Sequence, residues 1–378
     1  MEKKFVVKIN FEKIIWFLLF IFLFEPTLFV KIPKFNSIYI IGIVITFLYC
    51  CFKYLNKNRK ISKLLIITFL LRVVLFIPTF AYGGDIIKWG YQSLNYLSAI
   101  MMISLGFEKN QDETLKNMQI VFFVYLLINL ILYIKYPFGI FPEFWGLHFL
   151  GIRTRFTDYL FVLIAISILR FKNDKKFNLL CIILSVVTMF SAWISTAISG
   201  IVIAIILMFY LNKVKLKRNP NVLVMIALII VILVTFFRIQ NIFSSLIENL
   251  LHKSVSLTGR TEIWDLSYKY LKEKLLLGHG YRNDGNFVYW CGDYWQAHNQ
   301  FLQSIYDGGI IYLGLFISLL FSAVKNCNLK FKEGIVMISF LFGFIIMMIS
   351  EIYAYYPSFY TFLAIMYYFK YKTNDDKI

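Results

Sequence analysis

The feature that most constrains this chain is a succession of apolar segments, each about as long as the 18 or so residues a helix needs to cross a hydrocarbon core of about 30 Å. They lie near residues 14–31, 37–54, 63–81, 88–106, 116–135, 157–171, 177–195, 197–213, 220–238, 308–325, 334–351 and 355–371. The spans at 88–106 and 157–171 are the weakest, the one polar and the other short. In lipid every backbone polar group must be paired within the protein, so short connections between such segments leave a compact bundle of helices. A composition that is 60% hydrophobic and 19% aromatic excludes an ordinary soluble domain. The expected fold is an all-α integral membrane protein, a single polytopic domain over 1–378 with about twelve spans and both termini cytoplasmic. The first 24 residues have a basic leader and an apolar core, but Glu25-Pro26 follows instead of a small-residue cleavage site. An uncleaved first helix is expected.

The net charge of +18 would suggest nucleic acid as the partner of a soluble protein. With both termini inside, however, the inside segments hold 25 of the 39 Lys and Arg and 9 of the 21 acidic residues, a net of +16 that leaves +2 for the rest. The clusters Lys57, Arg59 and Lys60, then Arg170, Lys172, Lys175 and Lys176, then Lys213, Lys215, Lys217 and Arg218 all fall on that side. The positive-inside rule therefore accounts for the charge and sets the orientation, and no nucleic-acid partner is called for. The five cysteines, Cys50, Cys51, Cys181, Cys291 and Cys327, are odd in number with only Cys291 outside, so no disulfide framework is expected. No clustered His and Cys ligand set suggests a metal.

Two outside segments are longer than connections need to be, one over 136–157 and one over 239–307. In the longer, Trp264, Tyr268, Leu271 and Leu275 recur at helical steps, which predicts an amphipathic helix capped at Thr258 or Gly259 and ended by Gly278. A second short helix is expected from about Ala297, with His298, Phe301, Leu302 and Ile305 on one face and an interruption at Gly308-Gly309.

Arg260 would lie in the first turn of the predicted amphipathic helix, where a cation opposes the helix dipole at a cost of about 0.3–1 kcal/mol unless an anion is present. A glycine-preceded helix N-terminus with a guanidinium suits a phosphate; pairing with Glu262 or Asp265 is the plainer alternative. His298, on the apolar stripe, reads by periodicity as a packed core histidine, and the sharper alternative is proton transfer to or from a hydroxyl. His279 reads mainly as part of a Gly-His-Gly turn, and His252 and His148 have no supporting context. Arg153 and Arg155 could neutralise a diphosphate or anchor the segment at the interface. Arg72, in the middle of an apolar span, must be paired or functional, with Glu25 and Asp85 as candidate partners. The aromatic stretch around Tyr294 and Trp295 fits either sugar stacking or an interfacial belt.

Together these features resemble the membrane glycosyltransferase superfamily of O-antigen ligases and O-antigen or capsule polymerases. The similarity covers the whole chain in topology, and in residues it rests on "SLTGRTEIW" (256–264), "LLGHGY" (276–281) and "HNQFLQSIYDGGIIYLG" (298–314). These are similar to the family's Gly-Arg followed by Trp, its Gly-x-Gly turn, and its His-Asn-x-x-Leu with a glycine ahead of the next span. Where many members have an arginine followed by glycine, phenylalanine and Pro-Asn, this chain has "RTRFTDY" (153–159), and where many have a Ser-Arg-Ser-like turn it has "WISTAISG" (193–200).

The resemblance implies transfer of a glycan from undecaprenyl diphosphate to an acceptor hydroxyl with inversion, on the outer face of a bacterial cytoplasmic membrane, without a metal or other cofactor. It implies that Arg260 holds the diphosphate and that His298 acts as base on the acceptor or positions it. Arg153 or Arg155 would be a second diphosphate ligand, and Arg72 could supply the charge absent from "WISTAISG". Trp264, Tyr294, Trp295 and Asn299 are the candidate glycan contacts. The implied partners are the lipid-linked oligosaccharide, a glycan acceptor, the bilayer, and chain-length regulator and flippase proteins. Polymerisation of repeat units is the favoured reaction, ligation to lipid A core or another envelope acceptor the alternative. A transporter or flippase of lipid-linked glycans is less favoured, because its site residues should lie near the midplane of paired broken helices.

Overall fold

A computed structural model describes residues 11–56, 59–144, 146–214, 219–243, 259–282 and 296–371. Among these residues the chain is helical without a named strand. The helices are α1 (Phe11–Leu23), α2 (Thr27–Val30), α3 (Pro33–Asn56), α4 (Lys63–Ala81), α5 (Ile86–Lys135), α6 (Thr157–Leu169), α7 (Lys175–Ser191), α8 (Ser195–Val214) and α9 (Pro220–Thr235). They are followed by α10 (Arg260–Glu273), α11 (Gln300–Ala323), α12 (Lys332–Met347) and α13 (Pro357–Tyr368). A helix occupies each of the twelve expected segments, and five helices are long and apolar enough to cross a membrane by length and composition. Two of the expected spans form the single long α5, which breaks at Asn110, where φ is −162° and ψ is 106°.

Local chemistry sets the helix starts. The side chains of Ser62, Asp85 and Asp174 accept the Leu65, Lys88 and Phe177 N–H at 3.2, 2.9 and 3.1 Å, each satisfying an orphan donor of a first turn. The first expected span is interrupted: α1 ends at Leu23, and Glu25-Pro26 forms a break before α2. The short segment 157–171 is the most enclosed, because α6 is apolar all round and buries every residue from Thr157 to Ser167. α12 packs on α8 and α9, α13 on α5, and α11 on α4. The outward faces carry exposed apolar side chains such as Ile45, Phe69, Ile131, Ile183 and Phe209, which suits a multi-pass protein whose surface meets lipid.

At one end of the bundle, segment 136–157 is folded down by bonds to its neighbours. The Phe149 carbonyl accepts the Leu28 N–H (3.1 Å), the Leu150 carbonyl accepts the Thr27 hydroxyl (3.1 Å), and Asn129 Oδ1 accepts the Leu150 N–H (3.0 Å). His148 is buried between Tyr133 and Phe156, and neither ring nitrogen has a hydrogen-bond partner.

Candidate active site

Three segments distant in sequence meet at this end of the bundle: the 3₁₀ turn Arg153–Phe156, the start of α10, and the loops that flank α11 and α12. Arg260 opens α10 directly after Gly259, which takes a left-handed φ of 81° and offers no side-chain cap. The expected helix is shorter than its periodicity suggested, ending at Glu273 and leaving Leu275 exposed; residues 255–258 lie outside those described. Asp265 pairs with Arg238 (2.6 Å), whereas Arg260 Nη2 reaches Glu351 Oε1 at 3.3 Å. Part of the anion that the position of Arg260 called for is thus a carboxylate of the protein itself.

His298 departs from the expected apolar stripe. α11 starts two residues later, at Gln300, and His298 precedes its cap with a φ of +46°, a left-handed conformation uncommon outside glycine. That turn carries the ring away from the core face and toward Glu351, whose Oε1 lies 3.3 Å from Nδ1, with the side chain 31% exposed. The ring is thus hydrogen-bonded to Glu351 and partly open to solvent.

Arg155 and Arg153 separate cleanly. Arg153 is exposed and donates to the Pro137 carbonyl (3.3 Å), while Arg155 is 9% exposed and enters the cluster. Its Nη1 donates to the Ile352 carbonyl (2.7 Å), its Nη2 lies 3.7 Å from Glu351 Oε2, and its guanidinium covers the Tyr356 ring at 4.8 Å. Gln296 Oε1 lies 3.5 Å from Arg155 Nη2, and the Gln296 amide nitrogen stands beside the His298 ring without accepting from it.

Glu351 is the residue that sequence reasoning missed. It stands at the end of an apolar run, in the connection 348–356 between α12 and α13, and only 3% of its side chain is exposed. Burial pushes its carboxyl up, but the hydrogen bond with His298 and the charges of Arg155, His298 and Arg260 outweigh this and hold it at about 2. An ionised carboxylate only accepts, so His298 Nδ1 carries its hydrogen toward Glu351 and Nε2 is left as the basic nitrogen.

The connection 348–356 is itself clamped by the "HNQ" motif. Asn299 Nδ2 donates to Thr235 Oγ1 (3.0 Å) and to the Ile349 carbonyl (3.1 Å), while its Oδ1 caps α11 by accepting the Phe301 and Leu302 N–H. Gln300 Oε1 accepts the Tyr353 and Ala354 N–H at 3.0 and 2.9 Å. Asn299 is fully buried and spends its amide on these bonds, so it holds the scaffold rather than facing a glycan. Trp264 differs from expectation in the same way: it is fully buried, donates to the Ala297 carbonyl (3.1 Å), and ties the Gly-Arg helix to the His-Asn motif. Tyr294 and Trp295 lie outside the described residues, as does His252.

The Gly-His-Gly segment is a turn docked on the break in α11. The His279 and Gly280 N–H donate to the Tyr306 and Asp307 carbonyls (2.7 and 2.8 Å), and the His279 ring stacks on Tyr306. Gly309, with φ 72° and ψ −171°, lies so close to the neighbouring turn that a Cβ would stand 2.1 Å from the Leu276 carbonyl oxygen. The two motifs interlock by backbone contact.

Arg72 stands apart from the Glu351 cluster, and neither Glu25 nor Asp85 lies within ion-pair distance of it. It is 2% exposed, donates from Nε to Ser93 (2.8 Å) and from Nη2 to the Trp89 carbonyl (3.0 Å), and packs 5.2 Å from the centroid of the Tyr96 ring. Tyr96 in turn lines an open cavity of about 300 Å³ that Arg155 and Gln296 share with the cluster. Two guanidinium groups, an oriented imidazole and an adjoining cavity can neutralise phosphate oxygens and accept a proton from a hydroxyl beside them.

No curated protein matches the chain. Residues 177–317 match the family model described as O-Antigen ligase, a stretch that contains Arg260 and His298, while Arg155 and Glu351 are brought to them from outside it. Over 177–317 the chain is similar to this family, and the Gly-Arg and His-Asn motifs within that stretch meet at one site.

Proposed function

We propose that the protein polymerises lipid-linked oligosaccharide repeat units by transferring the growing glycan from undecaprenyl diphosphate to an acceptor sugar hydroxyl. One observation carries this reading: Arg155, Arg260 and His298 converge on the buried carboxylate of Glu351 beside an open cavity of about 300 Å³. A lipid diphosphate is already a good leaving group, so the protein must supply charge at the departing phosphate and a base at the attacking oxygen. The acceptor oxygen attacks the anomeric carbon as the bond from that carbon to the phosphate oxygen breaks, and the configuration inverts. The hydroxyl proton passes to His298 Nε2, and Arg155 and Arg260 hold the diphosphate that leaves. The distribution of Lys and Arg along the chain supports a site on the extracytoplasmic face of the cytoplasmic membrane. A flippase that delivers the donor and a regulator of chain length are the protein partners this reading calls for.

Ligation to a different acceptor, such as lipid A core, uses the same donor chemistry and is favoured by the description of the matched family. The test is to incubate the purified protein with an undecaprenyl diphosphate oligosaccharide, with and without a second acceptor, and separate the products on a gel. A ladder supports polymerisation. A single addition to the second acceptor replaces it with ligation, and unchanged donor with folded protein removes transfer altogether.

A further inference from the structure

We propose that Asp307 is a positioning residue, a second buried carboxyl group that holds the segments carrying His298 and Glu351 in register. It is 1% exposed and sits in α11 just ahead of the break at Gly309. Its own carbonyl accepts the Gly280 N–H (2.8 Å), which fixes the backbone there. The two oxygens of its side chain serve two different segments. Oδ1 accepts Gln303 Nε2 at 2.9 Å, and Gln303 Oε1 accepts the Ala297 N–H at 2.9 Å, one residue before His298. Oδ2 accepts the hydroxyl of Tyr355, which lies in the same connection as Glu351.

What needs bracing is the backbone of His298. A histidine at φ +46° persists only where its surroundings over-determine it. On one side Gln303 accepts the Ala297 N–H and Trp264 Nε1 donates to the Ala297 carbonyl (3.1 Å); on the other, Asn299 is tied to Thr235 and to the Ile349 carbonyl. The Gln303 amide can hold Ala297 in one orientation only. A backbone N–H only donates, so Oε1 must face it, and Nε2 then needs an acceptor on the opposite side. Gln303 is 1% exposed, so that acceptor has to come from the protein, and Asp307 supplies it. Without Asp307 the amide is free to turn, the Ala297 N–H loses its acceptor, and the left-handed turn at His298 relaxes. Through Tyr355 the same carboxyl group holds the connection that carries Glu351, so the base and the carboxylate that orients it share one anchor. This rests on the proposed transfer for its catalytic consequence, but not for the position of the imidazole.

The test compares Asp307→Leu, Gln303→Met and Asp307→Asn in the purified full-length protein. The first two fill the space but cut the link, and since a misplacement of about 1 Å costs on the order of 10²-fold, each should lower kcat by about tenfold or more with donor KM within about twofold of wild type. Asparagine keeps an oxygen for Gln303 and donates its amide to Tyr355, whose hydroxyl turns to accept, so Asp307→Asn should recover most of the kcat that Asp307→Leu loses. The double variant of Asp307→Leu with Gln303→Met should be no slower than the slower single one, because one chain of bonds is cut twice. A second readout needs no activity: nitrogen NMR of the histidine rings, with the His298 signals assigned through their loss in His298→Ala. Those signals should move in Asp307→Leu and Gln303→Met and stay in place in Asp307→Asn. Unmoved signals or wild-type kcat in both folded variants overturn the brace, as do losses that add in the double variant or an Asp307→Asn as impaired as Asp307→Leu. If Asp307→Leu does not fold, Gln303→Met and Asp307→Asn decide by the same readouts. Signals that move as expected, in a protein whose wild type performs no transfer, leave the brace standing and remove the catalytic reading instead.

Discussion

Replacing Glu351 with glutamine isolates its charge while keeping its shape. Its carboxylate stands 3.3 Å from Arg260, 3.3 Å from His298 and 3.7 Å from Arg155, with 3% of the side chain exposed. Removing one partner of a buried ionic group costs about 3–5 kcal/mol when the remaining charges stay enclosed. Here Arg260 and His298 are 20% and 31% exposed, so solvent recovers part of that cost. The catalytic effect falls on His298, whose Nδ1–H exchanges a charged acceptor for one neutral amide oxygen that the arginines also claim. A positioned general base contributes about 10²–10⁴-fold, so loss of its orientation should lower kcat by about 10²-fold. Donor binding should not weaken, because the two arginines lose an internal anion that competes with the diphosphate. The assay is steady-state transfer with purified Glu351→Gln, beside its elution and melting profiles. The expected result is a folded protein with kcat reduced about 10²-fold and a donor KM unchanged or lowered. A kcat within threefold of wild type, or a raised KM with kcat intact, refutes the positioning role.

Other parts of the structure carry their own tests. Arg155→Ala should abolish transfer and Arg153→Ala should leave it near wild type, because only Arg155 enters the cluster; equal losses in a transfer assay would contradict that division. Trp264→Ala should destabilise the protein by about 3–5 kcal/mol through the cavity it leaves, which thermal unfolding in detergent would report. Glu351 is held at about 2 against an ordinary 4.5, a depressed carboxyl, so its stabilisation is complete above pH 4.5 and is lost as pH falls from there toward 2. Its share is on the order of 3 kcal/mol, and acid unfolding in that window should be flattened in Glu351→Gln.

The helical bundle could be read from the apolar segments because in lipid the period and length of those segments leave little else. The site was legible in pieces. Arg260 stood out because a cation at a helix start is a local anomaly, whereas His298 was weak by periodicity and gained weight only from the resemblance of its His-Asn motif. Arg153 and Arg155 could not be separated, since the direction each takes depends on how segment 136–157 folds onto α2 and α5. Glu351 left only a faint signal, one carboxylate ending a run of apolar residues, because its meaning comes from three cations that lie elsewhere in sequence. Trp264 and Asn299 belong to the right motifs, yet burial turns them from expected substrate contacts into scaffold. The stripe that included His298 failed for a related reason: one residue with φ +46° changes the face that periodicity assigns.

The most direct measurement is the release of undecaprenyl diphosphate from a lipid-linked oligosaccharide, followed by mass spectrometry, in wild type and in Arg155→Ala, Arg260→Ala and His298→Ala. Wild type is expected to release one carrier for each glycosidic bond formed, and the three folded variants to release none above background. Absence of release by folded wild-type protein, or release at the wild-type rate in all three variants, would contradict a transferase site built on these residues.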